Sequence, residues 1–275
     1  MDLLYSSTRN GEEKVTASKA ILKGLADDGG LFVPESIPKL DVTIEELAKM
    51  SYQETAYAVM KLFFTDFTEE ELKNCINKAY DSKFDTEEIA PLVEADGAYY
   101  LELFHGATIA FKDMALQMLP QLLSAALRKT GEKRTACILV ATSGDTGKAA
   151  MEGFADVPQT RIQVYYPKNG VSAVQEQQMV TQEGENVDVR AVIGNFDDAQ
   201  SGVKRIFSDE AIRAELDRRG FFLSSANSIN WGRILPQVVY YISAYCDLVR
   251  DHAIAMGDKV NFCVPTGNFG DILAA

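Results

Sequence analysis

The sequence predicts an α/β protein with mainly parallel sheets flanked by helices, behind a mostly helical N-terminal region. Two observations carry that reading. From about residue 98 onward, short apolar runs alternate with longer amphipathic ones, the order that builds parallel sheets. Before that point two Thr-x-x-Glu patterns, Thr43-Ile-Glu-Glu46 and Thr68-Glu-Glu-Glu71, mark helix starts instead. In such a box the threonine oxygen accepts from an orphan helix N–H, and the glutamate reaches back to the cap.

Taken in order, the two boxes predict helices near 44–63 and 69–80. Residues 98–104 read as a strand. Residues 112–128 read as a helix whose apolar face is Met114, Leu116, Met118, Leu119, Leu122 and Leu123. Residues 136–141 form a buried strand that ends in the turn Thr-Ser-Gly-Asp-Thr-Gly. Further strands are predicted at 161–166, 187–193, 221–224 and 259–264. Helices are predicted at 172–182, 197–207, 209–218 and 230–250. In parallel sheets ligands gather at the carboxyl ends of strands. Three unusual segments follow predicted strands, so chemistry is expected there.

Composition narrows the function classes. The 275 residues carry 40 acidic and 27 basic side chains, a net charge of −13. That balance disfavours nucleic acid phosphates and anionic lipid as partners. No apolar run reaches the roughly 18–20 residues of a membrane span, and the start, Met-Asp-Leu-Leu-Tyr-Ser-Ser, lacks the features of a signal peptide. Cys75, Cys137, Cys246 and Cys263 are widely spaced and form no metal-type pair. They read as reduced, buried thiols of a cytoplasmic protein, with Cys137 and Cys263 packing in predicted strands. No metal site is expected. No internal repeat or low-complexity linker is present.

The first segment runs from Leu103 to Asp113, with Lys112 between Phe111 and the apolar helix. The positive end of a helix and loss of solvent both disfavour a cationic lysine. A neutral amine is the form that condenses with an aldehyde. The competing reading is an ordinary lysine that snorkels from a helix surface.

The second segment is Val140-Ala-Thr-Ser-Gly-Asp-Thr-Gly-Lys148. Backbone N–H groups at such a strand–turn–helix junction can hold a carboxylate or a phosphate. A P-loop is excluded, because that motif needs Gly where Thr142 stands and Ser or Thr where Ala149 stands. A plain helix-capping turn is the alternative. The third segment is Pro265-Thr-Gly-Asn-Phe-Gly-Asp271. Its glycines let backbone approach an anion closely, and it carries no cation of its own. By itself it reads equally as a structural turn. His105 reads as a packed structural residue before a catalytic one, and His252 gets no role.

Together and in this order, the segments resemble the threonine synthases, which are pyridoxal phosphate (PLP) enzymes of fold type II. The resemblance also covers Tyr5-Ser-Ser-Thr-Arg9, the stretch from Gly24 to Pro34, and Ser225-Ala-Asn-Ser-Ile-Asn230. It implies a tryptophan synthase β-like α/β fold and PLP as cofactor. It implies conversion of O-phospho-L-homoserine and water to L-threonine and phosphate, with proton transfers through Lys112. By the same resemblance Lys112 is the lysine that carries PLP, and Gly267, Asn268, Phe269, Gly270 and Asp271 form the PLP-phosphate loop. Thr142, Ser143, Gly144, Asp145 and Thr146 grip the substrate carboxylate. Arg9, Asn227, Asn230 and Arg233 are candidates for the substrate phosphate. Ala107 and Ile109 stand where the family often has Pro and Leu.

The resemblance implies an N-terminal region over 1–94, a large PLP-binding domain from 95–133 and 225–275, and a smaller domain over 134–224. It implies a cytoplasmic monomer or homodimer acting on a small molecule. It further implies that the chain is an N-terminal fragment that stops at the phosphate loop, before the pyridine-nitrogen partner. The alternatives are another fold-type II enzyme, such as a threonine or serine dehydratase or a threonine synthase-like phospholyase, and an inactive truncated chain.

Overall fold

The computed structural model describes residues 2–267 and 269–275. Its first sheet is absent from the sequence reading. β1 (Tyr5–Ser7) pairs antiparallel with β2 (Lys14–Val15) and with β3 (Phe32–Pro34), and α1 (Ala17–Lys23) lies between the last two. Strands of two or three residues are too short to show a period of two. Tyr5 and Phe32 anchor them in the core, and the Tyr5 hydroxyl donates to the Phe63 carbonyl at 2.9 Å. The N-terminal region therefore carries a small three-stranded sheet in addition to its helices.

Where one helix was predicted over 44–63, there are two, α2 (Ile44–Leu47) and α3 (Tyr52–Phe63). Ser51 takes extended backbone angles and forms its own capping box with Glu54, which ends one helix and starts the next. Both predicted boxes form as read, the second at the head of α4 (Glu69–Ala79). The predicted strand 98–104 is shorter and differently paired. β4 (Leu92–Ala95) and β5 (Ala98–Leu101) make an antiparallel hairpin around Asp96-Gly97, both at positive φ, instead of joining a parallel sheet.

The next two helices, α5 (Asp113–Leu116) and α6 (Met118–Thr130), meet at Gln117 and bury all six predicted apolar residues. Pro120 donates no N–H, so the Leu116 carbonyl loses its helical partner. The parallel sheet follows, with β6 (Thr135–Ala141), α7 (Asp145–Phe154), β7 (Thr160–Pro167) and α8 (Ala173–Val180). It continues through β8 (Val187–Val192), α9 (Phe196–Ser208), α10 (Glu210–Arg218) and β9 (Phe221–Ser224). The strand order is β8-β7-β6-β9, all parallel, so the near-continuous apolar run of β6 is covered on both faces.

Last come α11 (Trp231–Arg250), which packs on α3, α5 and α6, and the short α12 (Gly270–Ala274). The strand expected at 259–264 does not form. No neighbouring strand meets this segment among the described residues, so its backbone has no ladder to join. Cys263 is consequently exposed, against the expectation of a buried packing thiol, and Cys137 is only half-buried. Among the described residues no helix is long and apolar enough to cross a membrane, and no cluster of side chains suits a metal ion.

Candidate active site

Lys112 is delivered by a loop that one carboxylate pins in place. Asp113 is wholly removed from solvent. Its two oxygens accept from the backbone N–H and the hydroxyl of Thr108, each at 2.7 Å. Gly106 packs against it so closely that a Cβ there would lie 2.5 Å from the Asp113 side chain. Burial pushes the Asp113 carboxyl above its ordinary range, although the Thr108 hydrogen bonds oppose that shift. Lys112 itself sits in helical conformation just before α5, with its ammonium 4.3 Å from the Phe111 ring centroid.

The facing wall is the turn after β6. Thr142 is buried, and its hydroxyl donates to the Gly144 carbonyl while accepting from the N–H groups of Gly144 and Gly147, all at 3.0 Å. That hydroxyl is a clasp for the turn. Asp145 then opens α7, and its Oδ2 accepts from Lys112 Nζ at 3.1 Å. Burial alone would raise the Asp145 carboxyl. The Gln175 amide, which donates to Oδ1 at 2.7 Å, and the Lys112 ammonium outweigh it and hold the group below the usual carboxylate range. The close approach of α5 and α7 has a local cause. Gly153 lies over the orphan Leu116 carbonyl, where a Cβ would come within 2.1 Å of the oxygen.

Lys112, residues 142–146, Gly267, Phe269, Gly270 and Asp271 line one cavity of about 250 Å³. Asn268 lies outside the described residues. Phe269 holds a positive φ of 58° at the head of α12. The Asp271 side chain turns away from ligand duty. Its carboxylate accepts from the hydroxyls of Tyr240 and Tyr241, which ties α12 to α11. Burial pushes both phenols up, and the Asp271 carboxylate adds to the shift. Gly270 is seated against Ser228, with 2.5 Å between a hypothetical Cβ and the serine hydroxyl oxygen.

A second, larger cleft of about 1630 Å³ adjoins the first and shares Thr142, Ser143, Thr146 and Arg233 with it. Arg9 and Asn227 also line it. Arg233 is 4% exposed; its Nη1 donates to the Ala226 carbonyl at 2.8 Å, while its buried Nε has no partner among the described residues. Burial lowers the guanidinium to about 10. The Asn227 side-chain oxygen is likewise buried without a partner among the described residues. Arg9 donates through Nη1 to the Asp28 carbonyl at 2.9 Å.

Asn230 does not reach either cleft. Its amide donates to the Ile21 and Ser225 carbonyls, each at 3.0 Å, and accepts from Gly232 N at 2.9 Å. It caps α11 and fastens that helix to α1, so the sequence reading of it as a phosphate ligand is corrected. The His105 ring nitrogens meet Asp85 at 2.5 Å and Glu102 at 3.0 Å. Sequence reasoning missed Gln175 as a neighbour of the site. Its only visible signal was a Ser-x-x-Gln box, Ser172 to Gln175, which announces a helix start rather than a site.

Comparison with known proteins bears on this geometry. The family model for the threonine synthase N terminus matches residues 4–80. Threonine synthase of Saccharomyces cerevisiae is 39% identical over 287 residues, covering 98% of this chain and 54% of the yeast protein. Threonine synthase of Pseudomonas aeruginosa is 42% identical over 275 residues, covering 98% of this chain and 55% of that protein. A crystal structure of PLP-bound threonine synthase from Brucella melitensis superposes with a TM-score of 0.85 at 41% identity, covering 99% of this chain and 57% of that one. Residues 4–80 thus match the threonine synthase N-terminal family, and nearly the whole chain is similar to threonine synthases. The chain has the PLP fold type II α/β architecture. It spans about half the length of the curated relatives it matches.

Proposed function

We propose that this chain binds PLP through Lys112 and serves the threonine synthase reaction, in which O-phospho-L-homoserine and water give L-threonine and phosphate. The observation that carries the reading is the meeting of Lys112, the 142–146 turn and Gly267, Phe269, Gly270 and Asp271 around one cavity.

The residues present fit the cofactor. An amine stands at one wall and an aromatic ring beside it. Gly267 leaves room too, since a Cβ there would meet none of the described residues beyond its chain neighbours within 4 Å. The 250 Å³ of room approaches the lower end of small-molecule sites, about 300 Å³. When bound, PLP supplies an electron sink for the charge left at Cα by proton removal. Lys112 Nζ is the group placed to take and return protons. Asp145 sits beside that amine as its counter-charge. Ser143 and Thr146, with the N–H groups of the turn, hold the substrate carboxylate at the head of α7.

The substrate phosphate is assigned to the adjoining cleft. Arg233 supports this with a buried N–H that has no partner among the described residues, the kind of donor that burial leaves waiting for an acceptor. Arg9 and Asn227 complete that subsite. In a chain of net charge −13, anions must be held by such local donors and not by the overall field. The division into 1–94, 95–133 with 225–275, and 134–224 belongs to the same reading, as does a cytoplasmic monomer or homodimer.

The test is turnover of O-phospho-L-homoserine by the PLP-loaded protein. Equal amounts of L-threonine and phosphate are expected. Keto acid formed from unphosphorylated threonine, with no phosphate release, would instead indicate a dehydratase.

A further inference from the structure

Gln175 stands one residue removed from Lys112, through Asp145. Its Nε2 donates to Asp145 Oδ1 at 2.7 Å, and Asp145 Oδ2 accepts from Lys112 Nζ at 3.1 Å. The amide is fixed at its other end too, since Oε1 accepts from Ser172 N at 3.2 Å. That second bond is half of the capping box at the head of α8. The side chain also lies flat over Gly144. A Cβ at Gly144 would fall 2.5 Å from the amide carbon and nitrogen, and the residue has a φ of 148°. Glycine is needed there both for its backbone angle and for the room it leaves. Gln175 is thus locked by α8 on one side and by the turn on the other.

We propose that Gln175 is a positioning residue for Lys112: it fixes the rotamer of Asp145 so that one carboxylate oxygen always faces the amine. The proposal deepens the assignment of Lys112 as the PLP lysine and rests on that reading for its functional meaning. The charged groups around the amine are few. Asp145 faces it from α7, and Arg233 and Asp271 line the same cavity from α11 and α12. Asp271 is engaged by two tyrosines and Arg233 has no carboxylate partner among the described residues, so Asp145 is the carboxylate paired with Lys112. With Oδ1 held by a neutral amide, Asp145 cannot rotate away without breaking a hydrogen bond. Removing the amide frees that rotation, and the ammonium loses part of its restraint.

The test measures Lys112 directly in the 275-residue chain without cofactor, by competitive labelling with acetic anhydride at one fixed pH and peptide mapping. In Gln175→Met the donor is gone at nearly constant volume. Lys112 labelling should accelerate about two- to tenfold, the range expected for one net hydrogen bond. Ser172→Ala removes a cap of α8 but leaves the Gln175–Asp145 bond, and its Lys112 labelling should match the parent. In an Asp145→Asn background Gln175→Met should change nothing. Unchanged labelling in Gln175→Met, or an equal acceleration in the Asp145→Asn background, overturns the proposal. Reductive trapping of PLP on the parent chain is run separately. A chain that shows the labelling pattern but traps no PLP refutes the cofactor assignment and leaves the positioning role standing.

Discussion

The buried carboxylate of Asp113 accepts from both the N–H and the hydroxyl of Thr108, and so fixes the loop that ends in Lys112. Asp113→Ala leaves two Thr108 donors in a protein interior without acceptors. The expected loss is about 2–4 kcal/mol of stability, measured by denaturant unfolding. Asp113→Asn keeps one acceptor and can donate to the Thr108 oxygen, so a loss near ~1 kcal/mol is expected. Equal losses in the two variants would mean that the hydrogen bonds to Thr108 contribute nothing specific.

Arg233 makes a second prediction, in which stability and phosphate binding respond differently. A buried guanidinium without a carboxylate partner is expensive to desolvate. Arg233→Met should therefore be neutral to within about 1 kcal/mol in the absence of ligand. Inorganic phosphate should raise the melting temperature of the parent protein and leave that of Arg233→Met unmoved. Equal phosphate stabilisation in both would remove Arg233 from the phosphate subsite.

His105 sets a pH dependence. Burial would lower the imidazole, but the hydrogen bonds and charges of Glu102 and Asp85 outweigh it and raise the group. A raised histidine binds its proton more tightly in the folded state. Its contribution is complete below the unfolded value of about 6.5 and is lost as pH rises through the higher folded value. Stability should fall across that window in the parent, and the fall should be smaller in His105→Gln. An identical slope in the two proteins would show that His105 is not the linked group.

The parallel sheet was legible because β6 and β7 show apolar runs and because α8, α9 and α10 announce their caps through Ser172, Asn195 and Asp209. Residues 221–224 match β9 to the residue. What escaped was governed by partners distant in sequence. β1, β2 and β3 are two or three residues each and exist because Tyr5 and Phe32 are buried. The segment 259–264 has strand-like residues, yet a strand needs a neighbour and none meets it among the described residues. At the site, Lys112 and the two loops were readable as motifs. The commitments of Thr142 and Asn230 to backbone were not, because an hydroxyl or amide looks the same in sequence whether it faces a ligand or a turn. Gln175 was invisible for the same reason: its link to Asp145 spans thirty residues.

The central claim is that Lys112 is the PLP lysine. The direct measurement is titration of the protein with PLP, reduction with borohydride, and peptide mapping of the trapped cofactor. One equivalent of pyridoxyl label is expected on Lys112 and none in Lys112→Ala. Label on another lysine, or full trapping in Lys112→Ala, would contradict it.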